Sequence, residues 1–387
     1  MHVALAALFF FAILTLWVPA YWPVALFQVG VFALAGVTLW RSRNSVPRLP
    51  YPLFPLLAAV LLGLLQWATG NTVYAFDTQS AIVRWASFLA VFLVGFSLFR
   101  DRRMASWFRS AMLWFGSAVA VLATVQTFTS DKIFWVFATQ YTGVMGPILN
   151  HGHYAAFVEV VLPIALYEAT RRERGGLLYA GMAAVLYASV IASASRAGTV
   201  LATAEVVAAP ALLWSRGFAS GRAVGASLLR MAVLFAAFTA VVGWEHVRDR
   251  FLTPDPMAVR RELAVSSLHM VAAHPWSGVG LGAWPTAYPG YAILDVGLFA
   301  NQAHSDWLQW TAEGGIPFGI ALVTLFGWCV LPALRSVWGL GAIAVFLHAA
   351  VDYPFSRPAL GAWPILIIAM LAAREAARGR TAGEPPA

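Results

Sequence analysis

Cysteine is almost missing: Cys329 is the only one among 387 residues, and it sits inside an apolar run. That excludes intramolecular disulfides and thiolate metal sites. Charge of either sign is thin, at 11% against about 25% in soluble proteins. With 60% of residues apolar, a water-soluble chain of this length cannot hide its apolar surface, and the solvent must be lipid. Lysine is all but absent, since 24 of the 25 basic residues are arginine. The arginines lie in short clusters between apolar runs, so the +8 net charge marks membrane topology and not a nucleic-acid face. A basic n-region is also lacking before the first apolar stretch, Val3 to Ala20. A second apolar run follows at once, so the stretch reads as a membrane span and not a signal peptide. No internal repeat is visible.

What is present is a succession of apolar runs of spanning length, near 2–20, 21–40, 53–69, 82–100, 108–128, 151–170, 177–195, 197–214, 231–244, 314–334, 339–354 and 356–373. The expected fold is all-α, a polytopic transmembrane helix bundle of about 12 spans. With the N-terminus in the cytoplasm, every arginine cluster falls inside: Arg41/Arg43/Arg48, Arg100/Arg102/Arg103/Arg109, Arg171/Arg172/Arg174, Arg216/Arg222/Arg230, Arg335 and Arg374/Arg378/Arg380. Both termini are then cytoplasmic. The chain divides into spans one to nine (1–244), one long extracytoplasmic loop (245–313), and spans ten to twelve with a cytoplasmic tail (314–387).

The loop is rich in Trp, Tyr, Pro and Gly, which is the composition of an ordered loop and not of a disordered one. Asp255-Pro256 reads as an N-cap with proline at the first helical position, opening a helix to about Ala273 that Pro275 stops. Val259, Leu263, Leu268 and Val271 are its expected apolar face, lying on the bundle or at the interface. A second helix begins near Ser305 and breaks at Gly314-Gly315.

Ionisable residues at membrane depth are expensive, hence functional candidates: Glu159, Arg196, Glu205, His348 and Asp352. His348 and Asp352, four apart in an expected span, read as partners of each other. Glu205 has no assigned role. Arg196, in SASRAG at the outer junction of two apolar runs, has two readings. It is either an interfacial arginine snorkelling to headgroups or a bidentate clamp for a diphosphate. Arg260 and Arg261, in the first turn of the loop helix, oppose its dipole, which an anionic ligand would relieve; the alternative is a solvated pair facing headgroups. His304 can accept a proton from a hydroxyl at neutral pH, with nearby arginines depressing its pKa and a carboxylate such as Asp306 raising it. A single interfacial histidine is also a common structural residue. Asn150, His151 and His153 make a polar start to span six, read as a cap and interface and not as a metal site, since no further ligand lies near in sequence. The glycines of GVGLG follow a helix and not a strand, so they are no dinucleotide fingerprint.

The segments GPILNHGHYAAFVEVVLPIAL (146–166), SASRAG (193–198), RRELAVSSLHMVAAHPWSGVGLG (260–282), AHSDWLQWTAEGGIPFG (303–319) and HAAVDYPFSRPA (348–359) occur in an order and spacing that resembles the O-antigen ligase/polymerase family. The resemblance covers roughly residues 140–360. It implies a metal-independent, inverting glycosyltransferase of the bacterial inner membrane, working without a cofactor in lipopolysaccharide or cell-envelope assembly. Such an enzyme moves a glycan from undecaprenyl diphosphate to a hydroxyl of a glycolipid or glycan acceptor on the periplasmic face. By the same resemblance Arg196 and Arg260 match the arginines that hold the donor diphosphate, and His304 matches the histidine that activates the acceptor. Glu159, Arg261, Asp306 and His153 are supporting candidates. The sequence departs from the family's frequent Asn-Arg-Asn-His at Asn150–His153, from His-Asn-Asp at His304–Asp306, and from Trp at Ala264.

Three functions remain open at this level. A polymerase of the same family shares every motif quoted. A transporter or flippase of lipid-linked glycans has the same span count but predicts pseudo-symmetry and broken midplane helices, which the sequence does not display. An inactive scaffold in an envelope-assembly complex is the third.

Overall fold

The computed structural model describes residues 1–43, 49–141, 144–172, 176–242, 257–293 and 300–381. Among these, every regular element is helical, and extended pairing is confined to two isolated bridges, Ile133 with Phe137 and Met145 with Ile148. In chain order the helices are α1 (His2–Leu14), α2 (Trp22–Ser42), α3 (Leu53–Thr69), α4 (Ala75–Leu98), α5 (Arg102–Thr129), α6 (His151–Arg171), α7 (Gly176–Ser193) and α8 (Arg196–Ser215). They continue with α9 (Gly221–Val242), α10 (Met257–Ala273), the single turn α11 (Trp284–Ala287), α12 (Asp306–Arg335), α13 (Leu340–His348) and α14 (Pro358–Thr381). Among the described residues, seven stretches are long and apolar enough to cross a bilayer: α2, α4, α5, α7, α8, α12 and Pro358–Arg378 of α14. Three more apolar helices are shorter, His2–Leu14, Leu53–Thr69 and Val337–His348. The chain is therefore a multi-span, all-helical membrane protein.

Two compact units account for these elements. The first comprises Met1–Phe27, Leu98–Pro254 and Leu331–His348. Its centre is α6, which is buried on every face from His153 to Leu166, as a helix apolar all round must be. α5, α7, α8 and α13 pack on it. Small residues set the approach. A Cβ on Gly198 of α8 would meet Ala155 Cβ at 2.3 Å, and one on Gly341 of α13 would meet the Glu159 carbonyl oxygen at 2.4 Å.

The second unit comprises Gln28–Ser97, Asp255–Val330 and Ala349–Ala387. Its aromatic core stacks Trp85 edge-on against Phe88, Trp310 and Phe318, with Phe355 against Phe88 and Trp310. The expected break in front of the tenth span is a kink. The helix runs from Asp306 to Arg335 with Gly315 at φ 73°, ψ 176°, a conformation that only glycine takes without strain. Ile316 N–H turns away to the Pro275 carbonyl at 2.8 Å, and Pro317 has no N–H to give. The carbonyls of Ala312 and Glu313 thus lose their usual i+4 donors. They accept instead from Val279 N at 2.9 Å and Gly280 N at 3.0 Å. Gln66 of α3 completes the junction, donating to the Glu313 and Ser277 carbonyls at 2.9 and 2.7 Å and accepting from Leu281 N at 2.9 Å. The glycine-rich strap 276–293 is in this way sewn onto α12.

α10 lies on that strap. Leu263 and Met270 are buried with Val279, Trp284, Tyr288 and Ala312, and Val259 and Val271 pack at the edge. Leu268, expected on this face, is exposed. Polar residues take its share of the buried stripe, Glu262, Ser266 and Ser267, so apolar periodicity located only half of it. The cap expected at Asp255-Pro256 lies outside the described residues.

The expected span 339–354 is also shorter than its apolar run. α13 ends at His348, and Tyr353 takes φ −131°, ψ 54° ahead of a 3-10 turn at Pro354–Ser356. A residue before proline is driven out of the α region. His348 and Asp352 therefore share no helical face.

Candidate active site

In the first unit the Ser-Arg-x-Gly step is a helix start. Ser195 is the N-cap of α8, its hydroxyl accepting from Gly198 N at 3.2 Å, and Arg196 is the first helical residue. The turn before it is made by Ala194 in the left-handed region, φ 53°, which is uncommon for a residue with a Cβ. Each position has its own reason: serine caps, glycine admits Ala155, and Arg196 is left half-buried at the helix N-terminus.

Deeper in the same unit lies a buried ionisable group. His348 Nδ1 and Glu159 Oε1 are 2.7 Å apart, both side chains almost wholly inaccessible. The shared helical face expected of His348 and Asp352 is not formed, because the helix ends at His348. Glu205 of α8 is buried with neither carboxylate oxygen hydrogen-bonded and interacts electrostatically with Glu159. His153 is buried in the first turn of α6, where its N–H donates to the Asn150 cap at 3.1 Å. That fulfils the capping expectation for Asn150. His151 is half-buried at the helix start.

In the second unit His304 occupies the approach to α12. It is half-buried, takes φ 53°, and sets its ring edge-on to Tyr353 with centroids 5.0 Å apart. Holding a non-glycine residue there costs on the order of 1–3 kcal/mol and persists only when surroundings impose it. Those surroundings are explicit. Ala303 N donates to Gln309 Oε1 at 3.1 Å, Gln309 Nε2 to Glu313 Oε1 at 2.9 Å, and Ser305 caps the helix by accepting from Leu308 N at 3.4 Å. Serine thus does at position 305 the capping that asparagine would do.

Asp306 is an anchor. Its carboxylate is fully buried, accepting from Phe355 N at 2.9 Å and Ser356 Oγ at 3.0 Å, while its own N–H donates to the Ala349 and Asp352 carbonyls at 2.9 and 3.1 Å. These bonds lash the turn 349–356 to the start of α12. They also point the Asp306 carboxylate away from the role expected of it beside His304. Asp352, on the lashed turn, takes that role. Burial holds the His304 imidazole below the ordinary histidine value near 6.5; Asp352 pushes back and Arg260 pushes further down. The structure therefore gathers His304, Arg260, Asp352 and Tyr353 into one neighbourhood of this unit.

Arg260 and Arg261 are both exposed on the first turn of α10, so exposure does not separate them; the interaction with His304 names only Arg260. Sequence reasoning passed over two other residues. Arg84, half-buried in α4, acts electrostatically on Asp306 and Glu313. Glu262, two residues past Arg260, is buried against the strap, where Tyr288 and Ile293 bond to it. Its only signal was a carboxylate next to two arginines on a helix with no other acidic residue.

Residues 180–324 match the family model of O-antigen ligase, a stretch that contains Arg196, Arg260, His304 and Asp306 and leaves Glu159, His348 and Asp352 outside. No curated protein matches the chain.

Proposed function

We propose that this is an O-antigen ligase/polymerase-type membrane protein, a reading supported by the match of residues 180–324 to the O-antigen ligase family model, and we assign it a specific reaction and face. The chain is an integral-membrane glycosyltransferase that moves a glycan from undecaprenyl diphosphate to an acceptor hydroxyl outside the cytoplasm. Twelve spans with both termini cytoplasmic, following the arginine asymmetry, place 245–313 on that side. The observation that carries the reading is His304, half-buried at the approach to α12 against Tyr353, with burial and then Arg260 lowering its pKa and Asp352 raising it.

The acceptor hydroxyl gives its proton to the His304 imidazole as its oxygen attacks the anomeric carbon. The bond from that carbon to the diphosphate oxygen breaks, and undecaprenyl diphosphate leaves with the electron pair. Direct displacement inverts the anomeric centre. Arg260 and Arg196 are each assigned to phosphate oxygens, since guanidinium binds them bidentately and keeps its charge. Offsetting charge that develops on the leaving group is the main electrostatic contribution. No metal takes part in this scheme. Asp306 holds the start of α12 in place, and Arg261, Glu159 and His153 have supporting roles. The Ser-Arg-x-Gly step and the His304–Gly315 segment favour this reading over a flippase.

The test is transfer rate beside donor affinity in one His304→Ala preparation. Transfer is expected to slow roughly 10²–10⁴-fold, the range for one acid–base group, with donor affinity kept. Lost affinity with normal turnover of bound donor would make His304 a binding residue. Arg196→Ala and Arg260→Ala should weaken donor binding, with lysine restoring only part.

A further inference from the structure

Glu262 is two residues from Arg260. At about 100° per residue, the two side chains leave α10 on nearly opposite sides. Arg260 is exposed, whereas Glu262 is 5% exposed and saturated with donors. Ser266 Oγ at 2.8 Å and Ile293 N at 3.1 Å donate to its Oε1, and the Tyr288 hydroxyl donates to its Oε2. Tyr288 stacks on Trp284 at 4.9 Å, and the Trp284 indole N–H donates to Ser267 Oγ of α10 at 3.0 Å. Tyr288, Trp284 and Ile293 all belong to the strap whose other end is sewn onto the kinked α12. A continuous chain of bonds thus runs from the frame around His304 through the strap to the face of α10 that carries no arginine.

We propose that Glu262 is a positioning residue: clamped by Tyr288 and the strap, it fixes the rotation of α10 and so presents Arg260 to the donor diphosphate beside His304. The glycine run Gly278–Gly282 and Tyr288 are parts of the same strut. This rests on the assignment of Arg260 to the donor, and the experiment separates the two.

Full-length protein in lipid nanodiscs is assayed for affinity toward undecaprenyl diphosphate, with Glu262→Ala, Glu262→Gln, Arg260→Ala and the Glu262→Ala/Arg260→Ala double variant. Glu262→Ala should weaken affinity about tenfold or more, the scale of losing hydrogen bonds to a charged group. Glu262→Gln, whose amide oxygen can still accept from Ser266 and Ile293 while its NH2 donates to the Tyr288 hydroxyl, should recover most of it. In the Arg260→Ala background Glu262→Ala should cost nothing further. Losses that multiply in the double variant overturn the proposal, as does a loss that glutamine leaves unrecovered. If Arg260→Ala leaves affinity unchanged, the donor assignment fails and the clamp is judged by a second readout, the His304 titration midpoint by histidine NMR. Releasing α10 withdraws the Arg260 charge, so Glu262→Ala should raise that midpoint as Arg260→Ala does. Loss of the Glu262 charge alone would move it down, and an unmoved or lowered midpoint overturns the clamp.

Discussion

Arg196 and Arg260 are mounted in different ways. Arg196 stands on a local device: a serine cap one residue before it, a left-handed alanine two before, a contact glycine two after. Arg260 stands on a helix whose orientation is fixed from far away in sequence, by Tyr288 and Ile293 acting on Glu262, 26 and 31 residues along. A local mount survives distant change and fails to a single nearby substitution; a distributed mount has many weak points, none of them next to the residue it serves.

The largest expected effect lies in the distributed mount. Gly278 takes φ 66°, and a Cβ there would come within 2.2 Å of the Glu313 carbonyl oxygen. Gly278→Ala should cost roughly 2–5 kcal/mol, combining left-handed strain with overpacking against backbone. Measured by thermal unfolding in detergent, a neutral outcome would mean that the strap is not held on α12 as described. Smaller effects belong to the local mount. Gly198→Ala should cost about 1–3 kcal/mol, and Ala155→Gly, by removing the atom it strikes, should restore much of it. Ser195→Ala should cost about 1 kcal/mol as a lost cap, with the donor affinity of Arg196 falling in step. If Ser195→Ala is silent in both readouts, the two mounts do not differ in the way argued.

The smallest effect is a shift in pH dependence. In the proposed scheme His304 is the base and must be neutral to act, so transfer is expected to fall as pH drops through its pKa, which burial has already lowered. Asp352 raises that pKa; Asp352→Asn removes the counter-push, and the acid limb of the rate profile should move to lower pH. A shift to higher pH would exclude Asp352 as the neighbouring charge.

These contrasts also explain what the sequence disclosed. The helical membrane character follows from composition, and the Ser195–Gly198 step and the Gly314-Gly315 disruption are signals carried within a few residues. His348 and Asp352 were placed on one helical face because the apolar run continues past the helix, although Tyr353-Pro354 already carried the stop signal. Leu268 was placed inward because Glu262, Ser266 and Ser267 read as polar surface; their burial depends on Trp284 and Tyr288, which no local pattern connects to α10. The Glu159–His348 contact joins residues 189 apart, beyond any periodicity.

The two carbonyls released by the α12 kink impose a timetable. Their donors, Val279 and Gly280, are synthesised more than thirty residues before them. When Ala312 and Glu313 leave the insertion machinery, the strap that satisfies them has already been made. A buried backbone group without a partner is costly, so a chain order that supplies the donors first spares the nascent helix that cost. Reversing the order by circular permutation would leave α12 waiting for its strap.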